Sequence, residues 1–132
     1  MFIMSHVKKV GCLALLSTGL FVSAQASAAD TCDNAYTQTD MNKCAAARLA
    51  VEDQKLNQSY RNFQRLLNSS EKKELKEVQL AWIDFRDKAC QFSASSVRGG
   101  SAYPMALNGC LTTYTQQRRV QLDADIKNIK SK

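Results

Sequence analysis

Residues 79–90 read QLAWIDFRDKAC and gather several side chains able to do chemistry: the chain's single tryptophan Trp82, the carboxylates Asp84 and Asp87, the guanidinium of Arg86 and the thiol of Cys90. Carboxylates at i,i+3 share a helix face, which is the first requirement of an acid–base pair. The second is an environment that drives their pKa values apart. A solvated face supplies none. Glu52 and Asp53 are adjacent acids. Neighbours on a helix point about 100° apart, so these two do not converge on one substrate atom. Glycoside hydrolysis needs two carboxyls facing each other across a cleft, and neither pair is spaced for that. The only histidine, His6, stands near the start of the chain.

The start of the chain has the pattern of an export signal. Lys8 and Lys9 precede the apolar run GCLALLSTGLFVSA, and the small residues Ala26-Ser27-Ala28 follow it. The run is too short to span a bilayer. A charged start, apolar middle and small-residue exit predict a cleavable signal peptide over residues 1–28 and a single domain over residues 29–132. Cys12 stands at the start of the apolar run rather than after it, and Cys32 follows Asp30-Thr31, both poor settings for a lipid anchor. The mature chain is therefore expected to be soluble, without a membrane anchor, in the periplasm or outside a bacterial cell. Cleavage removes Lys8, Lys9 and no acid, so the formal charge falls from +6 to +4. It also removes His6. Without imidazole there is no Ser–His or Cys–His nucleophile pair and no His-ligated zinc. No catalytic, cofactor-binding or metal-ligating set is expected, and the chain reads as a non-enzyme.

Of the five cysteines, Cys32, Cys44, Cys90 and Cys110 remain after cleavage. An even count in a small exported domain predicts two disulfides. No C-x-x-C spacing occurs, which weakens zinc and thioredoxin-like readings. Three connectivities stay open. The preferred one, Cys32–Cys44 with Cys90–Cys110, closes two short loops beside helix ends, each stabilising the fold by roughly 3 kcal/mol.

Three amphipathic segments can position these residues. The first runs from about Asp40 to Leu67, with Thr37 or Thr39 as its cap and Met41, Ala45, Leu49, Leu56, Tyr60, Phe63 and Leu67 at helical spacing. The second runs from about Glu71 to Phe92 after the capping residues Asn68-Ser69-Ser70. Its residues Leu75, Val78, Trp82, Phe85, Ala89 and Phe92 follow a 3, 4, 3, 4, 3 spacing, the seam of a helix bundle. Trp82 and Phe85 are thus expected in the core, with Asp84 and Asp87 toward solvent and Asp84 paired to Lys88. The third begins near Pro104 and carries Leu107, Leu111, Tyr114, Leu122, Ile126 and Ile129. Arg118 falls on that stripe and Glu52 on the first, so each needs a partner, and a structural Glu52–Arg118 ion pair is expected. Between the second and third segments, Arg98-Gly99-Gly100-Ser101 and Tyr103 form a loop bounded by Cys90 and Cys110. The fold class is all-α: a small antiparallel three-helix arrangement stapled by two disulfides.

TQTDMNKCAA, DQKLNQSY, QLAWIDFRDKAC, RGGSAYPM and GCLTTYTQQR, in this order, resemble the LprI-like lysozyme-inhibitor family of exported bacterial proteins. The resemblance covers about Cys32 to Leu122. It implies binding and inhibition of lysozyme, and the chain is accordingly expected to bind a lysozyme or another peptidoglycan-cleaving enzyme and to occlude its cleft. Animal-type lysozymes are strongly basic and the mature chain is also net positive, so long-range steering is poor. Local complementarity is left to Arg98, a cation on a protruding loop that can meet the two carboxylates of a lysozyme cleft. Two further readings are an envelope module for an anionic surface ligand, through Arg118, Arg119, Lys127, Lys130 and Lys132, and an immunity protein against a periplasmic toxin. Nucleic acid is not an expected partner, because no recognition motif is present.

Overall fold

A computed structural model describes residues 32–131. The expected signal peptide, residues 1–28, lies outside the described residues. Three long helices follow in order, with no strand among the described residues: α1 (Gln38–Gln64), α2 (Ser69–Ser93) and α3 (Tyr103–Lys130). A single 3-10 turn, Ser95–Val97, stands between α2 and α3.

Each start has a local cause. Thr37 caps α1: its Oγ1 accepts from the Asp40 amide at 3.1 Å and donates to the Asp40 carboxylate at 2.6 Å. The Thr37 hydroxyl also lowers the Asp40 pKa below its ordinary value. Asn68 and Glu71 form a full capping box at α2, with bonds of 3.0 and 2.8 Å. Pro104, in the first turn of α3, has no amide to leave unbonded there.

Cross-helix contacts set the register. Asn42 reaches the Ser101 carbonyl, Glu52 faces Arg119, and Ser59 donates to Asp123, so α1 and α3 run parallel. Gln79 meets Arg118, Arg86 meets Thr115, and Cys90 joins Cys110, so α2 runs antiparallel to α3. The result is an up-down-up bundle in which α1 and α3 pack intimately and α2 touches the pair more lightly. Both short-range disulfides are present, Cys32–Cys44 and Cys90–Cys110.

Leu56, Phe63 and Leu122 form the apolar core, with Tyr60, Leu67, Leu75, Trp82 and Ile126 packed around it. The core is small and lies toward the α1–α2 turn. The middle of the bundle is polar instead: Glu52, Ser59, Gln79, Thr115 and Arg118 are all buried. Small cores give few kilocalories of net stability, which is where disulfides matter most.

Two expectations need correction. Phe85 is not core; it is 57% exposed, and Val78 and Phe92 on the same line are also exposed. Helix α2 is rotated so that Leu75, Gln79, Trp82, Arg86 and Cys90 face inward. The rotation has a covalent cause, since Cys90 must face Cys110 on α3. Ile83 follows the same rotation and turns toward α1. The second correction is the ion pair. Glu52 does not meet Arg118; it bonds Lys55 at 2.7 Å and faces Arg119 at 3.7 Å. Successive residues diverge by about 100°, so Arg119 looks at α1 while Arg118 looks at α2.

Candidate functional site

Arg86 is the hub of the polar layer. Its side chain is 14% exposed and contacts all three helices: Asp53 at 3.4 Å on α1, Asp87 at 2.8 Å on α2 and the Thr115 hydroxyl at 3.1 Å on α3. The guanidinium also lies 5.2 Å from the Trp82 ring centroid, and that of Arg118 lies 5.9 Å from it. Trp82 is therefore half-buried against two cations as well as the apolar core. Asp87, expected toward solvent, stays 44% exposed while it holds Arg86.

Arg118 is buried without a carboxylate partner. Its Nε donates to Gln79 Oε1 at 2.9 Å and its Nη1 to Gln121 Oε1 at 2.7 Å. Burial lowers its pKa and the Asp125 charge opposes that shift. Glu52 has the reverse balance. The Lys55 hydrogen bond holds its carboxyl below the ordinary glutamate value, against burial, which raises it. Glu52 Oε2 and Arg119 Nε make no hydrogen bond and face each other at 3.7 Å, while Arg119 also pairs with Asp123 at 3.3 Å.

Where α2 leans away from α1, a groove of about 560 Å³ opens, lined by Asp53, Tyr60, Gln79, Trp82, Ile83 and Arg86 among others. Of its charged groups, Arg86 and Asp53 are tied to each other at 3.4 Å. Among the described residues no cluster of His, Cys, Asp and Glu could hold a metal ion.

The Arg98–Tyr103 loop stands at the opposite end from the apolar core. Arg98 donates to the Gln91 carbonyl at 3.2 Å, so its exposed guanidinium is folded back onto the end of α2. Gly99 has φ +80, a left-handed value that favours glycine. Gly100 has no room for a side chain without shift, since an added Cβ would stand 3.2 Å from the Val97 carbonyl oxygen. Asn42 Nδ2 donates to the Ser101 carbonyl at 2.9 Å and ties the loop to α1. Tyr103 opens α3 and is half-buried. The loop is braced at both ends and by the Cys90–Cys110 bond.

Two surface features complete the picture. Val78, Phe85 and Phe92 line the outside of α2, and the Tyr114 ring meets Phe85 edge-on at 5.8 Å. At the other end of the bundle, Arg61, Arg65 and Lys72 line one hollow of about 340 Å³. Arg65, Lys127 and Lys130 line another of about 590 Å³.

Of the residues singled out from the sequence, Arg98 to Ser101 and Tyr103 do stand together, while Trp82 and Phe85 face different ways and Glu52 and Arg118 are apart. Sequence reasoning missed the Arg86 hub and the exposed aromatic line. Cys90 was the available signal, because a cysteine tied to the next helix fixes which face of α2 turns inward.

The described residues form a disulfide-stapled three-helix domain with a braced loop and an exposed aromatic face. The chain belongs to the lysozyme inhibitor LprI family, whose sequence profile matches residues 28–122. The match takes in both disulfides, α1, α2, the loop and most of α3. A protein of Rhizobium meliloti (strain 1021), described as uncharacterized, is 33% identical over 104 residues, which is 69% of this chain and 75% of that one. No solved structure matches the chain. The family is one of lysozyme inhibitors, and no helix among the described residues is long and apolar enough to cross a membrane.

Proposed function

We propose that the chain is an exported inhibitor that binds a lysozyme, or another peptidoglycan-cleaving enzyme, and blocks its cleft. The observation that carries this is the family match over residues 28–122. Residues 1–28 act as the signal peptide and residues 29–132 form one domain in the periplasm or outside the cell. The two disulfides suit an oxidising compartment. Occlusion requires a surface that is rigid before binding, because ordering a loop on contact costs affinity. The braced Arg98 loop meets that requirement. Its guanidinium suits the carboxylates of a glycosidase cleft.

The test titrates the oxidised mature domain into lysozyme-driven lysis of bacterial walls. Saturable binding with stoichiometric loss of lysis supports the reading. Full lysis at a large molar excess, across a panel of lysozymes, removes it. Arg98→Glu should weaken inhibition roughly tenfold if the loop enters the cleft, the scale of a lost charge contact. Unchanged inhibition would remove the loop from the interface and leave the inhibitor reading in place.

One observation favours a second reading. Arg61, Arg65, Lys72, Lys127 and Lys130 gather at one end of the bundle. Cations there complement the C-termini of α1 and α3, and they also suit an anionic envelope polymer. Binding of such a polymer would fall steeply with salt.

A further inference from the structure

Resting on the inhibitor reading, we propose that the outer face of α2, the line Val78–Phe85–Phe92 with Tyr114 beside it, is the surface that seats on the enzyme, and that it fits a strongly cationic lysozyme.

The α2 seam is longer than the core can use. Its positions recur at 3, 4, 3, 4, 3 spacing from Leu75 to Phe92. Leu75 and Trp82 are taken up by the core. Val78, Phe85 and Phe92 are 54%, 57% and 80% exposed. They are seven residues apart, so they stand in one line with a step of about 10 Å. Single exposed apolar residues are ordinary, but a continuous line of them marks a contact surface. The line is also partly fixed in advance. The edge-on Tyr114 ring limits where Phe85 can turn. Rigid aromatics that cost little entropy to bury are the usual anchors of protein interfaces.

Charge selects the partner. Glu74, Glu77 and Asp84 are exposed along this face, against the ammoniums of Lys73 and Lys88, and Lys88 is held by Asp84 at 2.8 Å. Lys72 and Lys76 line hollows on the side of α2 that faces α1. A chain of net positive charge therefore keeps an excess of acid beside its exposed aromatics. A cationic enzyme brings the opposite charge. At the Phe92 end the sign changes: Arg98, anchored on the Gln91 carbonyl, supplies one cation. A surface that is acidic along its length and cationic at its tip matches an enzyme that is basic overall and acidic in its cleft.

The experiment measures affinity for a cationic animal-type lysozyme by calorimetry, for the full oxidised mature chain and for Phe85→Ser/Phe92→Ser and Glu74→Lys/Glu77→Lys. These side chains are exposed, so helicity and melting temperature serve as fold controls. Sedimentation gives the oligomeric state in parallel. At least a tenfold loss of affinity in both variants, with fold and monomeric state unchanged, is the expected result. Wild-type binding that both variants retain within about twofold overturns the surface and leaves the inhibitor reading standing. A wild-type dimer that the phenylalanine variant makes monomeric, with lysozyme affinity kept, overturns it in favour of self-association. No wild-type binding to any lysozyme tested overturns the surface together with the inhibitor reading.

Discussion

Gln79 shows how one residue can oppose simple hydrophobicity. It is 9% exposed, on the inward face of α2, where a leucine would seem the better choice. Its carboxamide oxygen is one of two acceptors for the buried Arg118 guanidinium. A guanidinium has donors only, so the oxygen is the atom that must face it. Gln79→Leu removes that acceptor and leaves a cationic donor unsatisfied. We expect a loss of about 1–3 kcal/mol in urea denaturation despite the added apolar volume; a stabilised variant would mean that water replaces the amide. Glu52 gives a pH prediction at the same scale. Its folded pKa lies below the ordinary value, chiefly through the Lys55 hydrogen bond. The ionised form then stabilises the fold above the ordinary glutamate pKa of about 4.3, and that contribution is lost as pH falls through the depressed folded value. The stability gap between wild type and Glu52→Gln should be full at neutral pH and shrink below about pH 4.3. Urea melts across the acid range check this, and a gap independent of pH would assign the role to the side chain's shape. The sequence made legible that Glu52 needed a cation. It did not tell Arg118 from Arg119, because both lie near the apolar stripe and only the packing of α2 decides which of them α1 receives.

At the scale of elements the helices were readable and the rotation of one was not. Capping signals at Thr37 and Asn68 and the turn around Pro104 put helix starts within three residues of those expected. Helical periodicity is a property of local sequence, and so are caps. Which side of α2 faces inward is a tertiary property. Its most apolar line contains Phe85 and Phe92, yet the Cys90–Cys110 bond turns Gln79 and Arg86 inward. The same bond braces the Arg98 loop. Replacing both cysteines, as Cys90→Ala/Cys110→Ala, should cost about 3 kcal/mol of stability. It should also free the Arg98 loop, so inhibition should weaken even at temperatures where the variant is fully folded. Thermal melts beside inhibition assays separate the two effects. Full inhibition by a folded, destabilised variant would show that the loop needs no brace.

On the scale of the whole molecule, the distribution of charge matters more than its sum. The chain is net positive with or without Lys8 and Lys9, and a cationic lysozyme repels it at distances beyond the acidic side chains of α2. Salt screens that repulsion over about 8–10 Å at physiological ionic strength. It also weakens the short contacts of Glu74, Glu77 and Asp84 with the bound enzyme. The two effects appear in different rate constants. Repulsion acts on encounter, so kon should rise modestly with salt, by about twofold between 0.05 and 0.3 M. Contact loss acts on the complex, so koff should rise as well, and affinity should change little. Stopped-flow or surface-binding kinetics across that salt range measure both constants. An anionic polymer held at Arg61, Arg65, Lys127 and Lys130 would behave in the opposite way, with kon falling and affinity dropping steeply as salt rises. A fall of kon with salt for lysozyme itself would mean that the acidic face, rather than net charge, governs approach.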